Sequence, residues 1–162
     1  MTDHLHYKNF MESLKPFELV SFLRRPDLRV RTGIWLMPSH LFGQEANEAA
    51  RLGVMAVDVR GMLLDTIPSG AKFVPLDTDR ILQLLNTVSY RKEQGNCVLV
   101  YNLDLLLARL TQQQRVDAWQ FIFSGFGHRP CALLIGMPAT ASSLLPAGEM
   151  LNYWKEGKRL AV

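Results

Sequence analysis

At 162 residues, 48% of them apolar and 20% charged, the chain is long enough to bury one real core and too hydrophobic to be a disordered segment. Its formal net charge of +3 permits contact with nucleic acid or an acidic partner and demands neither. No apolar run approaches the ~18 residues needed to cross a bilayer, and the opening MTDHLHYKNF holds no apolar signal core; a cytoplasmic protein without membrane contact is expected.

The chain reads as a single domain over 1–162, with a helical extension over 1–30 and an α/β core over 31–162. In the extension, MESLKPFELVSFL (11–23) predicts a short helix or helix pair, with Pro16 in a first turn and Phe17, Leu19, Val20 and Leu23 on the apolar side. Arg24, Arg25 and Pro26 stop it. Arg29 and Arg31 follow, completing the densest basic cluster of the chain. Four arginines so close together suit phosphates or an acidic partner; more simply, they suit a solvated connector after a helix C-terminus.

Next, GIWLM (33–37) is a compact strand ending at Pro38. QEANEAARL (44–52) has the composition of a good helix, stopped by Gly53. VMAVDV (54–59) is a second strand, 60–67 a helical turn or short helix closed by Pro68-Ser69-Gly70, and FVPL (73–76) a short extended piece. The clearest helix runs over 77–92, capped by Asp77 or Thr78, with Ile81, Leu84, Leu85 and Val88 at i, i+3, i+4 and i+7.

The run CVLVY (97–101), directly after a Gly95-Asn96 turn signal, reads as a strand buried on both faces in the middle of a parallel sheet. Asn102 and Asp104 follow at its carboxyl end, where open α/β sheets place their ligands; Asp104 is expected to cap the segment Leu105-Leu106-Leu107. Thr111-Gln112-Gln113-Gln114 is a capping-box pattern, and Val116, Trp119, Ile122 and Phe123 form the buried stripe of the helix it opens. The loop 125–130 leads to a strand over 131–135. Short helices near 140–145 and over 149–156 precede a final edge strand, RLAV. Strands alternate with helices throughout, the pattern of a three-layer α/β/α fold with a mostly parallel sheet of four or five strands.

The loop after the first strand sits where phosphates bind in the pattern G-x-x-x-x-G-K-[ST]. There, glycines let backbone N–H groups turn inward, a lysine reaches the terminal phosphates and a hydroxyl holds magnesium. Here the loop is Pro38-Ser39-His40-Leu41-Phe42-Gly43-Gln44-Glu45. Gly43 matches the second glycine, but Pro38 replaces the first, Gln44 the lysine and Glu45 the hydroxyl residue. Ser39, His40, Gly43 and Gln44 are what remains of a binding loop. The magnesium-orienting acid fails in the same way, because its position falls on Tyr101 or Asn102. No cofactor, no metal and no ATP hydrolysis are expected.

The order strand, loop, helix, strand, helix, strand ending VYNLDLLL, helix, strand and short terminal strand, over residues 31–162, resembles a minimal AAA-type P-loop domain. In size and layout it is similar to the small P-loop accessory proteins of BREX phage-defence systems. That resemblance implies a bacterial multi-component setting in which the degenerate loop leaves a pseudo-ATPase.

Other chemistry is thin. Cys97 and Cys131 each open a strand without a CxxC or a histidine at ligand spacing, and are expected to be buried, reduced thiols. His4, His6, His40 and His128 enter no triad pattern, and no G-x-S-x-G elbow is present. At the C-terminus Trp154, Lys155, Lys158 and Arg159 could stack and pair with nucleic acid or dock a partner; the simpler reading packs Trp154 inward. The expected function is a non-catalytic scaffold or accessory protein that binds partner proteins. The alternative is an ATP- or nucleic-acid-binding accessory subunit that uses Arg24, Arg25, Arg29 and Arg31 on phosphates.

Overall fold

A computed structural model of the chain describes residues 13–92 and 95–162; the expected start of the first helix at Met11 and Glu12, together with His4 and His6, lies outside the described residues. In chain order the elements are α1 (Pro16–Leu23), β1 (Thr32–Met37), α2 (Glu45–Leu52), β2 (Met55–Asp58), α3 (Val59–Asp65), α4 (Thr78–Ser89), β3 (Cys97–Tyr101), α5 (Leu103–Leu107), α6 (Gln112–Ser124), β4 (Ala132–Pro138), α7 (Glu149–Glu156) and β5 (Leu160–Ala161). The five strands form one sheet in the order β2-β3-β4-β1-β5, and every pairing is parallel.

Parallel strands need crossovers, and the crossovers cover both faces. Side chains alternate across the sheet, as period-two geometry requires. Ile34, Val98, Val100, Leu133 and Ile135 point into the larger core with Leu63, Ile81, Leu85, Leu103, Trp119 and Trp154, under α3 to α7. Trp35, Met37, Cys97, Leu99, Ala132 and Leu134 point into the smaller core under α1 and α2. Thus α1 forms half of one helical layer. It fits closely because β1 carries Gly33, where a Cβ would stand 3.1 Å from both Leu19 Cδ1 and Leu23 Cδ1.

Local chemistry accounts for the helix starts. Asp77 accepts from the N–H of Arg80 at 2.8 Å, Thr111 and Gln114 form the expected reciprocal box, and Gly53 ends α2 in the left-handed region, at φ 71°. Phe17, expected on the apolar side of α1, is 67% exposed, and further expectations need correction. Val54 and Val59 flank β2; Val59 already begins α3, because Asp58 caps that helix by accepting from the N–H of Gly61 at 3.1 Å. The piece over 73–76 is irregular, and the helix expected near 140–145 is a 3-10 turn, Ser142–Leu144. Finally, α5 starts at Leu103 with Asn102 as its cap in the left-handed region (φ 64°), so Asp104 lies inside the first turn and is not the cap.

Candidate functional site

The chain leaves β1 for the α2 face and leaves β3 and β4 for the opposite face. A crevice opens where those connections diverge, at the carboxyl ends of adjacent strands. It has a volume of about 350 Å³ and is lined by Met37, Phe42, Gly43, Glu45, Tyr101, Asn102, Asp104 and Pro138, among others. Clefts of similar size lie beside α4, next to Phe73 and Arg80, and between α6 and the 142–150 segment. Neither stands at the ends of the strands.

The loop from β1 to α2 folds on itself. Residues Ser39–Leu41 make a 3-10 turn, so the N–H of Leu41 donates to Pro38 O (3.0 Å), that of Phe42 to Ser39 O (3.2 Å) and that of Gln44 to Leu41 O (2.9 Å). The remaining amide, Gly43 N–H, donates to the Glu45 carboxylate at 3.3 Å. Gly43 sits at φ 82°, a conformation glycine reaches without steric cost. All four amides from Leu41 to Gln44 are therefore bonded inside the loop. Where a phosphate-binding loop would turn them toward a ligand, this one supplies its own anion.

Glu45 and Asp104 are the acids that line the crevice, and Asp58 lies next to that lining through its bond with Asn102. Asp58, at the end of β2, is in register with Tyr101 at the end of β3, and its Oδ1 also accepts from Asn102 Nδ2 at 3.0 Å. This bond holds Asn102 in its left-handed conformation, which asparagine tolerates better than most residues. Burial pushes the Asp104 carboxyl above the usual range; backbone hydrogen bonds oppose the shift and the Glu45 charge adds to it. Tyr101 is raised by partial burial and then by the charges of Asp58 and Glu45. Among the described residues, no lysine, arginine or histidine lines the crevice.

Ser39 and His40 are exposed on the 3-10 turn and Gln44 is exposed at the N-cap of α2, so the loop residues lie together at the carboxyl edge. The four arginines lie at the other end of the sheet. Arg24 is a clamp: its Nε donates to Asn96 Oδ1 at 2.9 Å and its terminal nitrogen to Gly53 O at 2.8 Å. Arg25 is exposed and pairs bidentately with Asp27. Arg31 donates to the carbonyl of Arg129, and Arg29 is exposed at the start of β1.

The C-terminal set divides. Trp154 is 0% exposed and packs edge-on against Trp119 and Phe123; it is a core residue and cannot dock a partner. Arg159 is also internal. It donates to Thr32 O, Thr32 Oγ1 and Phe123 O and lies 4.5 Å from the ring centroids of Trp154 and Phe123. Burial lowers its pKa to about 10, which leaves it charged at neutral pH. Lys158 is exposed and Lys155 half-buried.

Sequence reasoning missed Asp58. The signal available was its position as the polar residue closing a strand, the same placement that singled out Asn102. It also missed the bond from Gly43 to Glu45, which depends on loop geometry that residue types do not specify. Cys97 and Cys131 are buried free thiols. Among the described residues no three His, Cys, Asp or Glu side chains are grouped to hold a metal, and no helix is long and apolar enough to cross a membrane. The chain matches no known family model, no curated protein and no solved structure.

Proposed function

We propose that this protein is a non-catalytic accessory or scaffold subunit, a P-loop-like core whose nucleotide cleft no longer grips phosphate, and that it serves by binding partner proteins. The observation that carries this reading is the state of the β1–α2 loop. Its four amides from Leu41 to Gln44 are internally bonded, one of them to the Glu45 carboxylate. A triphosphate entering there would displace those bonds and then face Glu45 and Asp104 with no lining cation to offset the repulsion. The five-stranded parallel sheet and the position of the crevice support the P-loop-like ancestry. The setting that the resemblance implies is a bacterial multi-component system of the phage-defence kind. Exposed apolar side chains such as Phe17 (67%) and Phe73 (75%) offer contact area to a protein.

The test is thermal unfolding with and without millimolar Mg-ATP, together with a phosphate-release assay. The expected outcome is no shift and no turnover. Occupancy at 100 times Kd would stabilise the fold by ~2.7 kcal/mol, and a shift of that size would overturn the proposal.

A further inference from the structure

The amino edge of the sheet, opposite the crevice, gathers cations from three distant stretches of the chain. Backbone pairing joins the first to the third: Val30 bridges Gly127, the N–H of His128 donates to Arg29 O at 2.9 Å, and Arg31 donates to Arg129 O. The second joins through Tyr90, whose ring centroid lies 4.2 Å below the Arg129 guanidinium, and through Ser89 O, which accepts from Cys131 N–H at 3.0 Å. Arg91 and Lys92 are thereby carried to the same edge. The stretches 24–31, 91–96 and 127–131 hold seven of the chain's eighteen lysines and arginines and two of its fifteen acids. Together they carry more than the whole net positive charge of the chain.

Arg24 and Arg31 are committed to internal bonds, but Arg29, Lys92 and His128 are exposed and Arg91 is half-exposed. None of Arg29, Arg91 and Lys92 forms an ion pair among the described residues; the ion pairs there are Arg25–Asp27 and Arg51–Glu48. Tyr90, beside Arg129, is an exposed aromatic on this edge, at 54%. An acidic protein surface would need only the charges. A cationic surface bearing an exposed, arginine-backed aromatic ring matches single-stranded nucleic acid, whose phosphates take the charges while an unpaired base stacks on the ring.

We propose that this edge binds single-stranded nucleic acid without sequence preference, with Arg29, Arg91, Lys92 and His128 on phosphates and Tyr90 as a stacking surface. This goes beyond the scaffold reading and is independent of it, because the crevice lies at the other end of the strands.

The test uses the full chain and a fluorescein-labelled 20-nucleotide oligothymidylate, titrated between 50 and 200 mM salt. Binding should weaken steeply with salt. In the double variant Arg29→Gln/Lys92→Gln, the slope of log K against log salt should fall by about 1.4, at ~0.7 for each single-strand phosphate that is no longer neutralised. Tyr90→Ala should weaken binding several-fold with the slope unchanged. Arg91→Gln provides a second, separate charge removal, and melting temperatures check that each variant remains folded. No binding at 50 mM salt would overturn the proposal, as would indifference to both charge removals. Displacement by polyglutamate as effective as displacement by unlabelled oligothymidylate would overturn it in favour of an acidic protein partner.

Discussion

Cys97 shows how a residue's surroundings decide its chemistry. It opens β3, in the core under α1 and α2, and burial pushes its thiol up to about 12; Arg24 and Arg31 pull it down and Cys131 adds to the rise. A folded-state pKa above the ordinary value of 9.0 means that the folded protein holds its proton more tightly than the unfolded chain. This contribution to stability is complete below pH 9 and is lost as pH rises from 9 toward 12. Stability measured by urea denaturation should fall across that window in the native protein and fall less in Cys97→Ala. At neutral pH an alkylating reagent should modify Cys97 only as fast as the protein unfolds, because the thiolate is the nucleophile. That both cysteines would be buried thiols was legible from the apolar runs they open. That Arg24 would spend itself on Asn96 and Gly53 O was not: the partners lie 72 and 29 residues away, and no local pattern encodes such a contact.

At the scale of elements, the amphipathic helices and the buried strand β3, which lies between β2 and β4, were readable because their signals are local. Every predicted stripe residue of α4 is buried, and β3 has the expected bounds. The elements that escaped reading depend on a single backbone conformation or a neighbouring strand. The start of α5 is set by Asn102 at φ 64°, held by a carboxylate from β2; residue types alone pointed to Asp104. The seat of α1 on β1 depends on Gly33, which in sequence could have been an ordinary strand glycine. Gly33→Val would drive two γ-carbons into Leu19 and Leu23 and lift α1 from the sheet. Overpacking of this kind costs about 1–3 kcal/mol, so the variant should show a lower urea midpoint with α1 the first element to lose hydrogen-exchange protection. Midpoint and protection equal to those of the native protein would mean that α1 yields without strain.

Considered as a whole, the molecule is polar in charge as well as in strand direction: acids gather where the strands end and arginines where they begin. The fold class was legible from the alternation of strand and helix patterns, whereas the order β2-β3-β4-β1-β5 was not, since order is decided by which crossovers pack best. That the β1–α2 loop lacks a lysine and a hydroxyl at the phosphate-binding positions was legible, but the closure of its amides was not. That closure makes a prediction. Gln44→Lys combined with Glu45→Thr supplies side chains of the phosphate-gripping kind, yet Mg-ATP should still leave the melting temperature unchanged, because the amides of Leu41, Phe42 and Gln44 remain turned into the 3-10 turn. An ATP-dependent shift in this variant would show that side chains alone decide affinity here.

The pairing of Thr32 with Leu133 joins positions about a hundred residues apart, and such long closures slow folding. During synthesis β1 leaves the ribosome early and waits without either sheet neighbour, since β4 and β5 are both made later. Its run Ile34-Trp35-Leu36-Met37 stays uncovered for much of translation. Nascent chains stalled before residue 132 should therefore be the species that chaperones hold.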